Sequence, residues 1–530
     1  MTLSAAEPTP AGPSGVSRRR FLLAGSVMAG FAAAGCSGSA TSGPSTSGAG
    51  GFTGSLTTLL PGDVPIGWDH VLEQVNAKLT KDLGFTIDSQ FIPWENYGQQ
   101  ALQKFTAGAT FDTALQARWL NMTQLAQSGK LVDLSGKLAK TPNLAKTIDP
   151  TAIKANTWNG KLWGIPQVNG AGRMAHFAIR QDLADKYRIG TISDYDALEK
   201  YWYDVKQHES SMIPMPLYSR TANQTSTFIT IPLFNRDFWE NPHRGVPQQF
   251  TGDSVSFYFA KDAATSKSSD PLPFWELPEV LDALHRTRKY YLDGIINKDS
   301  LTVDHGRLDT WFTSGRSGTL WAMTDGLSSA VLPALTKAVP SATMANVMPL
   351  RGGQSAKPNQ IFQADNFVVL NVHGESNDAA MQLQDWLSIK ENHDLIEYGV
   401  EGTDWKAVGD DQFQALTKYV FPGFALSWRS SLERLASYTT ESEREWFRWA
   451  QSYDNFTVDT FAGFIPDVTP VKGENTRLAA AMTRFGIPLF AGALDVDKGL
   501  SALKKACESA GVAKVQAELA KQGDAYLSLA

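Results

Sequence analysis

An α/β layer fold with a largely parallel sheet, divided over two lobes or more, is predicted by three observations. Over residues 55–128, β-like runs alternate with amphipathic helical stretches, the rhythm of strand–helix–strand units. The chain has 530 residues, more than one hydrophobic core usually serves. Its last sixty residues are helix-rich, because 497–510 and 511–521 carry apolar side chains at three-to-four-residue spacing.

The N-terminus precedes the fold. Residues 17–36 open Ser-Arg-Arg-Arg-Phe-Leu-Leu, continue apolar, and close on Ala33-Ala34-Gly35-Cys36. A basic stretch, a short apolar stretch and small residues before a cut site make an export signal. The apolar run of about 15 residues falls short of the ~20 needed to span a bilayer. Arg18-Arg19 before Phe21-Leu22 resembles a twin-arginine signal, and the ending resembles a bacterial lipobox. Residues 1–35 then read as a lipoprotein signal, with Cys36 as the diacylated new N-terminus; two acyl chains suffice for stable anchoring. The competing reading is an ordinary cleaved signal with an incidental cysteine. Residues 36–54, rich in Gly, Ser and Thr, read as a flexible tether.

Composition narrows the rest. Loss of Arg18, Arg19, Arg20 and Glu7 with the signal takes the formal charge from −6 to −8. That balance argues against a nucleic-acid partner, which needs clustered Lys and Arg. With Cys36 acylated only Cys507 remains, so no internal disulfide is available and the fold rests on its core. The 15 Trp, 14 Tyr and 27 Phe suit packing on sugar rings, though most would serve the core.

In chain order, Ser55–Leu60 reads as a strand ended by Pro61-Gly62, and Asp69–Leu83 as a helix with Val71, Leu72, Val75 and Leu79 on one face. Phe85–Phe91 reads as a strand, Gly98–Ala107 as a helix, Asp112–Gln116 as a strand and Met122–Ser128 as a helix. No fixed-period repeat is present.

Five segments then carry a resemblance: Phe105-Thr-Ala-Gly-Ala-Thr-Phe-Asp112, Leu125-Ala-Gln-Ser-Gly-Lys-Leu-Val-Asp-Leu134, Asn159-Gly-Lys-Leu-Trp-Gly-Ile-Pro166, Phe312-Thr-Ser-Gly-Arg-Ser-Gly-Thr-Leu-Trp-Ala-Met323 and Tyr398-Gly-Val-Glu-Gly-Thr-Asp-Trp405. In this order they resemble the family-one extracellular solute-binding proteins that feed ABC importers, in the large lipoprotein branch associated with oligosaccharide uptake. The resemblance implies a periplasmic-binding-protein-like fold of two α/β lobes joined by crossing strands, with a helix-rich C-terminal segment. Lobe 1 would comprise residues 55–166 and 365–400, lobe 2 residues 167–364 and 401–530. Crossings are expected near Ile165–Gly170 and Ala364–Val369. Some large members hold calcium in an acidic loop; here residues 180–190 offer Asp182 and Asp185 without alternating oxygen ligands. No calcium is expected there, and Asp182 reads as a helix cap.

In such folds ligands sit beyond the carboxyl ends of strands and between lobes. The candidate solute-binding residues are therefore Trp68; Trp94, Glu95, Asn96 and Tyr97; Arg118 and Trp119; Gln167, Asn169 and Arg173 after the crossover; Trp321 and Asp325; and Glu401 and Trp405 in the last motif. Trp428-Arg429 and Tyr453-Asp454 are further candidates. Each has a competing packing or surface role, and for Glu401 and Asp112 a structural carboxylate is the favoured alternative. Arg118, Arg173 and Arg429 could meet a uronate carboxylate or form internal ion pairs. The eight His residues show no metal spacing, and no cofactor is implied. The function implied is capture of an oligosaccharide or modified sugar by lobe closure and delivery to ABC permease subunits, by a lipid-anchored monomer at the extracytoplasmic face of the cell membrane. A glycan-active enzyme is the alternative, with a solute sensor beside it; the chain has no Gly-x-Ser-x-Gly elbow, His-Glu-x-x-His or phosphate-cradling loop.

Overall fold

The computed structural model describes residues 51–118, 120–158, 160–172, 174–218, 236–241, 248–249, 254–259, 271–323 and 327–528. The chain opens with β1 (Ser55–Pro61), α1 (Trp68–Leu83), β2 (Thr86–Ile92), α2 (Trp94–Ala107), β3 (Thr113–Ala117) and α3 (Met122–Gln127). It leaves this layer along β4 (Ile165–Gln167), builds a second from β5 (Ala175–Arg180), α4 (Tyr195–His208), β6 (Thr319–Met323) and β7 (Met344–Val347), and returns along β8 (Asn366–Leu370). Then follow α5 (Asn377–Trp386), α6 (Lys390–Tyr398), a hairpin of β9 (Trp405–Val408) and β10 (Gln412–Ala415), α7 (Glu441–Ala450), α8 (Val496–Ala510) and α9 (Val512–Leu527).

Local chemistry explains the first elements. In α1 the side chains of Val71, Val75 and Leu79 share a buried face, and Gly84 ends the helix at φ +84° by donating its N–H to the Leu79 and Thr80 carbonyls. Leu56 and the run Thr58–Pro61 of β1 are buried, as suits a strand with neighbours on either side.

The first sheet has the order β2-β1-β3-β8-β4. Its β1–β2 and β1–β3 pairs are parallel, while β8 runs antiparallel to β3 and β4. The second sheet, β7-β5-β6, is antiparallel about β5. Within these two sheets, parallel pairing is thus confined to the β1–β2 and β1–β3 pairs, less than the sequence reading expected. The reason is topological: β8 enters lobe 1 at the edge where β3 ends, so it must run against it.

Separate cores identify the lobes. Leu56, Val71, Phe105, Leu115, Val368 and Leu383 belong to one; Phe177, Trp202, Tyr290, Leu320 and Val347 to another. Tyr419, Phe421, Ala425 and Leu426 pack into the first. The C-terminal helices α8 and α9 share a third core with Val255, Phe257, Phe274 and Leu284. Asp182 does not cap a helix. It lies in the first turn after Arg180, pairs with that guanidinium through its Nε at 2.7 Å, and accepts the Thr343 N–H at 3.3 Å.

One carboxylate joins the ends of lobe 1. Asp112 is 1 % exposed; its Oδ2 accepts the Thr57 N–H at 2.8 Å and its Oδ1 the Ser376 N–H at 3.2 Å. Ser376 in turn caps α5. Asp112→Ala would leave the Thr57 donor unmatched in the sheet, so a loss of about 1–3 kcal/mol is expected. Urea unfolding of the two proteins checks this, and an unchanged midpoint would refute the structural role.

Candidate functional site

The carboxyl ends of β1, β2 and β3 point the same way, and the chain after each presents side chains there. Trp94, Glu95 and Asn96 open α2 directly after β2 and are exposed; Trp94 is 44 % exposed. Its indole stacks on Phe424, with centroids 5.7 Å apart and planes at 14°, and Phe424 meets Trp428 edge-on at 5.9 Å. Phe424 and Trp428 are half-buried. These rings form an aromatic run over the end of the first sheet. An accessible apolar face of this kind is unusual outside a binding site.

Buried carboxyl chemistry holds that run in place. Beneath it lies Glu397 of α6, whose Oε2 accepts the Ser427 hydroxyl at 2.6 Å. A Cβ at position 423 would fall inside contact distance of the Glu397 carboxyl group, so a larger residue in the turn Gly423–Ala425 would push that carboxyl group aside. Burial, with the nearby Glu433 charge, pushes the Glu397 carboxyl up to about 8. Next to it His393 is fully buried, with Nδ1 3.1 Å from Asp394 Oδ1 and Nε2 3.3 Å from Glu433 Oε1. Burial alone would lower this imidazole, but Glu433 and Asp394 outweigh burial and hold it up at about 9.

Other candidates turn inward. Trp68 is buried between Phe421, stacked at 5.3 Å, and Phe91, edge-on at 5.6 Å. Tyr97 is buried, and its hydroxyl donates to the Leu59 and Leu115 carbonyls at 3.2 and 2.9 Å, clamping β1 to β3. Trp405 is buried, with Nε1 donating to the Gly399 carbonyl at 2.9 Å and Arg434 5.1 Å above its ring. Asp404 accepts the Val400 N–H at 2.9 Å. The Tyr398–Trp405 motif is therefore a self-closing turn, with Glu401 exposed on its rim.

A further group sits at the crossings. Arg118 reaches from the end of β3 to Gln363 Oε1 and, at 3.1 Å, to the Ala364 carbonyl; burial draws its guanidinium down to about 9. Gln363 donates to the Ala462 and Phe464 carbonyls at 2.9 and 3.0 Å. Gln167 is buried and accepts from Arg429 at 3.2 Å, and the Asn169 carbonyl accepts from Gln451 at 2.8 Å. In lobe 2 Trp321 is buried, stacked on Tyr218 at 6.2 Å, with an Nε1 that finds no acceptor among the described residues. Tyr453 packs against Phe362 with the rings tilted and centroids 5.0 Å apart. Cys36, Trp119, Arg173 and Asp325 lie outside the described residues.

Of the sequence candidates, the structure gathers Trp94, Glu95 and Asn96 at the sheet end, with Trp428 nearby. Phe424 was missed; its only sequence signal is the Phe-Pro-Gly-Phe turn, residues 421–424, four residues ahead of Trp428. Among the described residues, no three His, Cys, Asp or Glu side chains converge as metal ligands would. Nor is any helix there long and apolar enough to cross a membrane.

Two sheet lobes, antiparallel crossings between them and a ligand-sized face at the strand ends define the two-lobed solute-binding fold. The comparisons agree. The chain is 25% identical over 484 residues to a carbohydrate ABC transporter substrate-binding protein of Streptococcus pneumoniae serotype 4, covering 88% of this chain and 89% of the relative. In fold it is similar to the N-glycan transport solute binding protein (NgtS) of S. pneumoniae, with a TM-score of 0.71, 21% identity and coverage of 89% of this chain and 99% of that one. An extracellular solute-binding protein of Bifidobacterium longum subsp. infantis superposes with a TM-score of 0.63 at 16% identity, over 89% of this chain and 98% of that one. Residues 460–528 match the model of a domain of unknown function, DUF3502.

The His393 and Glu397 environments set a pH response. An unfolded imidazole loses its proton near 6.5, whereas His393 keeps it to about 9. Glu397 behaves likewise between 4.5 and about 8. In these windows the folded state binds more protons, so stability falls as pH rises through them. The urea midpoint is expected to drop between pH 6.5 and 9; a flat or rising profile would exclude the assignment.

Proposed function

We propose that this protein is the substrate-binding component of an ABC importer, working outside the cytoplasm and capturing an oligosaccharide between its lobes. The observation that carries the sugar class is the run Trp94–Phe424–Trp428 over the carboxyl ends of the first sheet, in a chain related along most of its length to a carbohydrate-transport binding protein. Flat aromatic faces suit the C–H faces of sugar rings, and Glu95 and Asn96 beside them offer acceptor and donor groups for hydroxyls. A relative in fold is known in complex with Man1GlcNAc and with Man5GlcNAc, which makes mannose-containing glycans the first probes.

In this reading the solute docks on lobe 1 and lobe 2 closes over it. Trp321 belongs to the opposing wall, and Trp119, Arg173 and Asp325 are solute contacts proposed from the sequence alone. Arg118, Gln167 and Asn169 shape the floor at the crossings, while Trp68, Tyr97, Glu401 and Trp405 support the face from behind. Solute need only bind the closed form more tightly to shift the population towards it. No bond is made or broken. The signal at residues 1–35 delivers the chain through the membrane, Cys36 carries the lipid and residues 36–54 tether a monomer within reach of permease subunits.

Calorimetric titration with Man1GlcNAc and Man5GlcNAc tests the reading. Binding without turnover is expected, and Trp94→Ala and Phe424→Ala should each weaken it by about 1–3 kcal/mol. Unaltered affinity in both variants would remove the aromatic run from the site. Hydrolysis of either glycan would select the enzyme reading instead.

A further inference from the structure

The returning crossing begins at a strained residue. Phe362 has a φ of +49°, in the left-handed region that a bulky side chain occupies only when its surroundings hold it there. Its carbonyl accepts the Asn156 side-chain amide at 3.0 Å, and its ring packs on Tyr453 and, edge-on at 6.1 Å, on Phe456. Two residues on, Ala364 is already fastened to lobe 1. It donates its N–H to Asn156 Oδ1 at 2.9 Å and accepts from Arg118 at 3.1 Å. Phe362 belongs to the second core and Ala364 to the first, so the chain changes lobes within two residues.

The segment leading into this bend is stitched to the C-terminal part of the chain. Asn359–Gln360 pairs in parallel with Thr457–Val458, and Asp459 donates its N–H to the Gln360 carbonyl at 2.9 Å. Gln363 completes the seam. Its amide donates to the Ala462 and Phe464 carbonyls at 2.9 and 3.0 Å, while its Oε1 accepts from Arg118. The loop that supplies those carbonyls is held in turn by the last helix, α9. Tyr526 Oη accepts the Gly463 N–H at 3.1 Å, and its ring packs on Phe461 and Phe464 with centroids 6.0 and 5.5 Å away. Gln522, one turn earlier, exchanges two hydrogen bonds with the Asp467 backbone, at 2.7 and 2.8 Å. The root of α9 is the third core, which the helix Pro278–Asp293 joins to lobe 2: its Val280 and Leu284 lie in that core and its Tyr290 in the second.

These contacts form an unbroken line from α9 through Tyr526, the 461–464 loop and Gln363 to the point where the chain crosses. We propose that residues 460–528, the stretch matching the DUF3502 model, act as a hinge anchor: they hold the entry to β8 at one angle and so restrict the range over which the lobes swing. Gln363 and Tyr526 are positioning residues in this arrangement. Released from Gln363, the backbone at Phe362 relaxes towards an ordinary conformation, and the angle is no longer fixed. The inference depends on the two-lobed fold alone and holds whatever the solute is.

The test is the distance between the lobes in solution, measured on the full chain without solute. Single-molecule energy transfer reads it between fluorophores attached through non-natural amino acids in place of Gln103 on α2 and Lys200 on α4, both exposed. In the wild type the distances should cluster in one narrow distribution. Gln363→Leu should widen it about twofold or more, and Tyr526→Phe, which removes only the hydroxyl, should widen it by less. Gln516→Ala deletes a contact of α9 with the Pro271 carbonyl, at 2.8 Å, outside this line, and should leave the distribution unchanged. A wild-type width in Gln363→Leu would overturn the anchor, as would a wild type as broad as that variant or equal widening in Gln516→Ala. Should Gln363→Leu fail to fold, Tyr526→Phe decides the question: widening supports the anchor and a wild-type width overturns it.

Discussion

The guanidinium of Arg429 is the group on which the arrangement of lobe 1 and its crossings depends. It is 1 % exposed, and neutral oxygens meet its nitrogens: Ser388 Oγ at 3.1 Å, Gln384 Oε1 at 2.8 Å, Gln167 Oε1 at 3.2 Å and the Trp428 carbonyl at 2.7 Å. Burial draws it down to about 10 against the opposing pull of Glu433. A buried cation is tolerated only when its donors are matched, so the partners cannot drift independently. One lies on the outgoing crossing strand, two at the end of α5, and one on the segment that carries the aromatic run. The same requirement thereby fixes crossing, lobe and binding face together.

A second buried polar group shapes the face itself. Glu397 sits below the Gly423 turn, and its hydrogen bond from the Ser427 hydroxyl ties down the segment between Phe424 and Trp428. The aromatic face and the protonation of that carboxyl group are thus linked.

Much of this was legible in sequence, for identifiable reasons. The opening strands and helices carry strong periodicity and Gly stops, so α1 and β1 could be bounded within a residue or two. The site was harder. Trp68, Trp94 and Tyr97 all follow strand ends, yet two of them turn inward. Tyr97 shares the buried face of α2 with Ala101 and Phe105, while Trp94, one turn earlier, overhangs the sheet end and stays exposed. Helical phase alone would have placed them alike. Phe424 depends on a contact with Trp94, far away in the chain, which spacing does not encode. The C-terminal helices were visible as helices, but their partner around Val255–Leu284 was not.

The chain passes between the lobes along β4, along β8, and again after Arg429, whose isolated bridge to Val168 runs parallel to the outgoing strand. Since β8 pairs with β4, the crossings lie side by side, as a flat strap three plies wide. A strap of that form bends readily out of its own plane and resists twisting and sideways slip, where a single cord would allow all of them. The lobes are therefore joined by a leaf hinge. In such a joint, bending out of the plane of the strap is the motion that leaves its strand pairing intact.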